Sequence, residues 1–203
     1  MFDFPRPIIH KTIYIGGLGI SEPKPLNEKF SALMKKGKKG VIIVSLGTIA
    51  PFHAFPDVTK RAFVSVFKSM PDHHFILKIA KGDSTTQSFM KGVRNCDLIE
   101  WLPQSDILAH PRLKLFVMHG GINGMMEALL RAVPVVVIPI FADQFRNGRN
   151  AEAVPVVVIP LFADQFRNGR NAEKRGVGKV ILKLELTEQT IKTAIEEVLN
   201  NER

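Results

Sequence analysis

Several small clusters of polar residues interrupt an otherwise apolar chain, each where a buried strand would give way to a turn. His119, Gly120 and Gly121 follow the run Leu-Phe-Val-Met, and Asn123, Gly124 and Glu127 come directly after. An imidazole can donate a hydrogen bond to a phosphate oxygen, and Asn123 with the Gly124 amide can add others. The Glu127 carboxylate can accept from both hydroxyls of a ribose. Upstream, Ser45, Gly47 and Thr48 place two hydroxyls around a glycine; they could bind a phosphate or a sugar, and a simple turn would use the same residues. Trp101 has a flat face for stacking on a base, and Gln104 carries an amide that can read a base edge. A place in the core or on its rim suits a lone Trp as well. Asp143 and Gln144 are adjacent polar groups suited to the hydroxyls of a sugar ring.

These residues need strands and helices to hold them. The continuous β-branched run 40–44 reads as a strand buried on both faces, and 114–118 as another. The glycine pair after 114–118 lets the backbone turn sharply and approach a ligand. A helix over 124–131 then turns the free N–H groups of its first turn toward the strand's carboxyl end. An anion is favoured there, and in an open parallel sheet that crevice is where ligands bind. The spacing further predicts helices over 27–36, 57–69, 84–90 and 187–199, the last capped by Thr187, and a helical turn at 106–109. Strands are predicted over 74–79, 97–100, 135–138 and, at an edge, 178–182. Residues 1–26 are rich in proline and glycine and read as a linker around one short strand, 10–15. Their glycines do not form GxGxxG ahead of a helix, which argues against a dinucleotide fingerprint. Residues 27–203 are then one domain.

Composition removes some function classes. A length of 203 residues suits one large domain with a sizeable core. The formal charge of +9 admits an anionic partner, but the cluster Lys35, Lys36, Lys38 and Lys39 lacks interleaved aromatics and reads as a solvated loop, not a nucleic-acid patch. Cys96 is the single cysteine, so no intrachain disulfide forms. His73 and His74 point to opposite faces of a strand and make a poor metal site, and His110-Pro111 fits a turn. No stretch has the order of a signal peptide, and the apolar run 132–142 falls short of the roughly 20 residues of a membrane span. The expectation is a soluble chain.

Residues 132–152 read AVPVVVIPIFADQFRNGRNAE, and 153–173 repeat them with one difference, Ile140 against Leu161. The Asp143-Gln144 pair therefore recurs as Asp164-Gln165. Two copies do not make a solenoid; each reads as a short βα unit. Copy one follows the helix 124–131 directly, so a right-handed crossover sets its strand beside 114–118, with copy two farther out. The alternative loops copy one out and exposes Val-Val-Val-Ile to water.

The stretch 101–144, with Trp101-Leu-Pro-Gln104, His119-Gly-Gly121-Ile-Asn123-Gly124, Glu127 and Phe-Ala-Asp143-Gln144, resembles the donor-binding signature of UDP-glycosyltransferases, glucuronosyltransferases in particular. Asp3-Phe-Pro-Arg-Pro7 and Tyr14-Ile-Gly-Gly17 resemble that family's interdomain connector. The resemblance implies a doubly wound, Rossmann-like parallel sheet, the C-terminal half of a GT-B glycosyltransferase fold. It implies uracil on Trp101 and Gln104, α-phosphate at His119, Asn123 and Gly124, β-phosphate at Ser45, Gly47 and Thr48, ribose on Glu127, and sugar on Asp143 and Gln144. The implied reaction is inverting transfer of a hexose from UDP-glucuronate or UDP-glucose to a small lipophilic hydroxylated acceptor, without metal or cofactor. The base is a histidine of an N-terminal domain outside these residues, so the chain by itself is expected to bind donor without transferring it. Full-length members are expected at the endoplasmic reticulum membrane. A non-catalytic product that associates with related glycosyltransferases is the alternative. The family commonly has glycine before Val-Pro, where this chain has Ala132.

Overall fold

A computed structural model describes residues 9–13, 20–47, 51–138, 144, 156–158, 178–180 and 187–200. Its frame is a parallel sheet of seven strands: β1 (Gly40–Ser45), β2 (His73–Lys78), β3 (Cys96–Ile99), β4 (Leu113–Met118), β5 (Val135–Val137), β6 (Val156–Val158) and β7 (Gly178–Val180). Their order is β3-β2-β1-β4-β5-β6-β7. Every residue of β1 is buried, as its continuous apolar run requires. Alternation then splits the core in two. Ile42, Val44, Leu115, Val117 and Val136 face one layer, while Val41, Ile43, Phe116, Met118, Val135 and Val137 face the other.

The first layer is covered by α2 (Asp57–Ser69) and the last helix, and the second by α1 (Glu28–Met34), α4 (Gln104–Leu108) and α5 (Ile122–Leu130). A short α3 (Ser84–Phe89) is capped by Asp83, which accepts from the Thr86 N–H at 2.8 Å. The last helix, α6 (Glu188–Leu199), starts on a Thr187–Thr190 capping box and packs on α2 and across β4, β5 and β6. Phe52, Phe63, Phe67 and Phe75 form a chain of ring contacts, the last a stack at 4.2 Å. Through Phe52 this chain fastens the loop after β1 to the sheet.

The tandem repeat builds two adjacent strands. β5 of copy one pairs with β4, and β6 of copy two pairs with β5 as Val135↔Val156, Val136↔Val157 and Val137↔Val158. The added strand thus stands between β5 and β7, the order expected when copy one docks first. Ala132 is the C′ residue of α5, at φ 51. The Val133 N–H reaches the Ala128 carbonyl at 2.9 Å and the Ala132 N–H the Leu129 carbonyl at 3.1 Å, a Schellman closure with alanine where glycine costs less.

Some element expectations need correction. The strand foreseen over 10–15 is absent from residues 9–13, which make a turn closed by the Thr12 N–H to the Ile9 carbonyl at 2.9 Å. α5 starts at Ile122, not at 124, with Gly121 as its N-cap. α4 starts at Gln104, not at 106, because Pro103 precedes it with the fixed φ of a helix start.

Candidate functional site

The strand order turns from β1 outward in both directions: β2 lies on one side, β4 on the other. Between β1 and β4 the connections leave on opposite faces, and a crevice opens at the carboxyl ends of the two strands. A cleft of about 520 Å³ lies there, with Gly47, Trp101, Gln104, His119, Gly121, Asn123, Gly124, Glu127 and Gln144 among its walls.

Glycines shape the floor. Gly47 has φ +85, and a Cβ there would come within 3.0 Å of the His119 ring; a Cβ on Gly121 would meet His119 Nε2 at 2.6 Å. The imidazole is therefore held between two backbones that could carry side chains only by displacing it. Gly120, at φ +89, is packed against copy one: its Cβ would lie 2.7 Å from the Gln144 carbonyl oxygen and 2.8 Å from Val137 Cγ1.

Above this floor, α5 points its amino end into the cleft. No side chain among the described residues caps Gly121, and no acidic residue occupies the first turn. The first amides of α5 are left for a ligand, with the positive end of the helix dipole behind them. Gln104 Nε2 donates to Glu127 Oε2 at 2.6 Å, which orients the carboxylate and leaves its second oxygen to accept. A Cβ on Gly124 would come within 3.3 Å of that same Gln104 nitrogen, so a side chain there would crowd the pair.

Trp101 is 75% exposed at the cleft mouth, an unusual position for so large an apolar surface. Lys78 Nζ lies 5.7 Å from the centre of its ring. Lys78 also lines a smaller cavity of about 160 Å³ that shares Leu46, Gly47 and Trp101 with the main cleft. Sequence reasoning passed over Lys78; its signal was a cation at the carboxyl end of β2, next to the switch point.

Among the expected residues, Ser45 is separate from the rest. It is the last residue of β1, 3% exposed and paired with Met118, and it does not line the cleft. Gln144 does, and is 5% exposed. Thr48, Asp143, Asp164 and Gln165 lie outside the described residues. Among the described residues no group of His, Cys, Asp and Glu is arranged to hold a metal ion, and no helix is long and apolar enough to cross a membrane.

Comparison with known proteins gives this geometry a lineage. The chain is 37% identical over 201 residues to ugt-50 of Caenorhabditis elegans, described as a putative UDP-glucuronosyltransferase, covering 98% of this chain and 34% of that one. It is 40% identical over 147 residues to UDP-glucuronosyltransferase 3A1 of Bos taurus, covering 72% of this chain and 27% of that one. The chain thus spans about a third of the length of the curated relatives it matches. Among solved structures it is similar to Os79 of O. sativa in complex with UDP, with a TM-score of 0.61 at 20% identity over 89% of this chain and 36% of that one. A UDP-glucose:anthocyanidin 3-O-glucosyltransferase in complex with UDP gives 0.60 at 22% over 87% and 35%. The fold is therefore that of the glycosyltransferases. Residues 1–154 and 150–203 both match the UDP-glucoronosyl and UDP-glucosyl transferase family, and the chain belongs to it.

Proposed function

We propose that this domain binds the UDP-sugar donor of a glycosyltransferase and stabilises the departing UDP. The observation that carries the reading is the amino end of α5, free of any described side-chain cap, opening beside His119 into a cleft with an exposed Trp101 at its mouth. Uracil stacks on Trp101 and meets Gln104; the ribose hydroxyls bind the free oxygen of Glu127. The diphosphate lies on the α5 amides, Asn123, His119 and the Gly47 turn, with Ser45 and Thr48 assigned to the β-phosphate by the family resemblance. The hexose of UDP-glucuronate or UDP-glucose reaches Asp143 and Gln144. The UDP carried by the two similar structures supports a UDP-sugar as the donor.

The chemistry follows from the charges. As the anomeric C–O bond breaks, negative charge grows on the β-phosphate, and fixed N–H donors stabilise it without reorganising. The proposal assigns that charge to backbone amides and an imidazole rather than to a metal ion, so donor binding persists in a chelator. Deprotonation of the acceptor hydroxyl and binding of a lipophilic acceptor fall to a second domain of the kind the family resemblance implies, and the oxygen displaces UDP with inversion.

Copy one is the working copy on this reading, because Gln144 packs on Gly120. The test is calorimetric titration of UDP-glucose into Asp143→Ala/Gln144→Ala and Asp164→Ala/Gln165→Ala forms. Loss of the sugar's contribution in the first alone is expected; loss in the second alone would assign the site to copy two.

A further inference from the structure

Among the described residues, positive charge is in excess at the end of the sheet opposite the cleft. Around the carboxyl ends of the strands the described charges are mixed: Lys78, Lys81 and Arg61 stand with Asp57, Glu100, Asp106 and Glu127. The turns entering the strands are different. Lys35, Lys36, Lys38 and Lys39 lead into β1, Lys91 and Arg94 into β3, Lys114 lies at the start of β4, and Lys68 ends α2. All are exposed. Lys36 is paired with Asp97 at 2.5 Å. No carboxylate among the described residues lies within ion-pair distance of Lys35, Lys38, Lys39, Lys68, Lys91, Arg94 or Lys114.

The lysine turn is built rigidly. The Arg112 guanidinium donates to the carbonyls of Met34, Lys36 and Gly37, and the Lys39 N–H reaches the Asp72 carbonyl at 2.9 Å. Gly37, at φ +70, has no room for a Cβ beside Gly40 and His74. The cations are thus presented on fixed backbone, spread across the ends of neighbouring strands.

We propose that this face docks on an anionic lipid bilayer, leaving the cleft turned away from the membrane. Lysine ammoniums are point charges suited to a diffuse anionic surface, and anionic lipid attracts each such lysine held near it by about 1 kcal/mol. Among the described residues the exposed large apolar side chains are Ile9, Ile13, Val58, Trp101, Ile122 and Leu130; none belongs to these turns. The face therefore offers no stacking platform for single-stranded nucleic acid, no helix or ribbon for a duplex groove, and no buried aromatic anchor for a protein partner. The cavity of about 490 Å³ within it carries Asp72 and Glu196 as well as Lys39 and Lys114, so the lysine turns around it, not the cavity, meet the anions.

The experiment is co-sedimentation of the purified chain with phosphatidylcholine vesicles and with vesicles of about 3:1 phosphatidylcholine to phosphatidylserine. Binding only to the anionic vesicles is expected, weakened at least about tenfold between roughly 0.1 and 0.5 M NaCl. Lys35→Glu/Lys38→Glu/Lys39→Glu should abolish it with thermal unfolding unchanged, and Arg61→Glu/Lys81→Glu, at the other end, should not. Equal binding to neutral vesicles, absence of binding to anionic ones, or a triple variant that still sediments would overturn the proposal. So would an RNA oligonucleotide that the chain binds more tightly, per phosphate, than the anionic vesicles.

Discussion

Gly120 joins the β4 turn to copy one, and replacing it tests that joint. At φ +89 an L-residue is strained by about 1–2 kcal/mol. The new methyl would also sit 2.7 Å from the Gln144 carbonyl oxygen and 2.8 Å from Val137 Cγ1, an overpacking that typically costs about 1–3 kcal/mol. Alanine lowers the entropy of the unfolded chain, which offsets about 0.4–1 kcal/mol. Gly120→Ala should therefore destabilise by roughly 2–4 kcal/mol, lowering Tm by about 4–16 °C for a domain of this size. Gly92 is the control: its φ is +81, but a Cβ there meets nothing within 4 Å, so Gly92→Ala should cost no more than about 1.5 kcal/mol. The assay is thermal and urea unfolding followed by circular dichroism. Equal losses in the two variants would refute the contact between Gly120 and copy one.

Other expectations follow from the same geometry. Ala132→Gly relieves a left-handed alanine at the end of α5 and should stabilise by about 0.5–1 kcal/mol; an unchanged urea midpoint would contradict the Schellman closure. Trp101→Ala should weaken UDP binding about 5- to 150-fold, from roughly 1–3 kcal/mol of stacking. Because the ring is 75% exposed, its loss should leave the urea midpoint nearly unmoved, and a collapse of stability would make it a core residue instead. His73, His74 and His110 are each held below the ordinary histidine value of 6.5, chiefly by burial. Below pH 6.5 the unfolded chain then binds more protons than the folded one, so stability falls as pH drops from 6.5 toward 5 and levels off above. Urea midpoints that do not change between pH 5 and 7 would refute this.

Much of the frame was legible in the residues. The apolar positions of α2 predict Asp57–Ser69 with its observed bounds, because amphipathic spacing over several turns leaves little freedom. The two repeat strands lie in the expected order, since looping out copy one would expose its valines. The beginnings of helices were less legible. α5 takes in Ile122 and Asn123 because the glycine pair turns the chain two residues earlier than a poor helix former such as Gly124 suggests. The apparent strand at 10–15 has the composition of a strand, but local pattern cannot show whether a neighbour is available to pair with it. Ser45 has the right type and spacing for a phosphate contact, and it ends β1 as a buried residue outside the cleft lining. Contacts between distant residues were least visible. The Gln104–Glu127 hydrogen bond joins residues 23 apart, and Lys78 reaches Trp101 from another strand. Both depend on the sheet order, which no local spacing encodes.

The most direct test of the account is isothermal titration of UDP into the purified chain, folded by circular dichroism and kept in a chelator. The account predicts saturable binding at one site, weakened by Trp101→Ala and by a valine at Gly121, which would displace the His119 ring. A folded chain that binds no UDP, or binds it equally well in both variants, would contradict the claim that this cleft is a donor site.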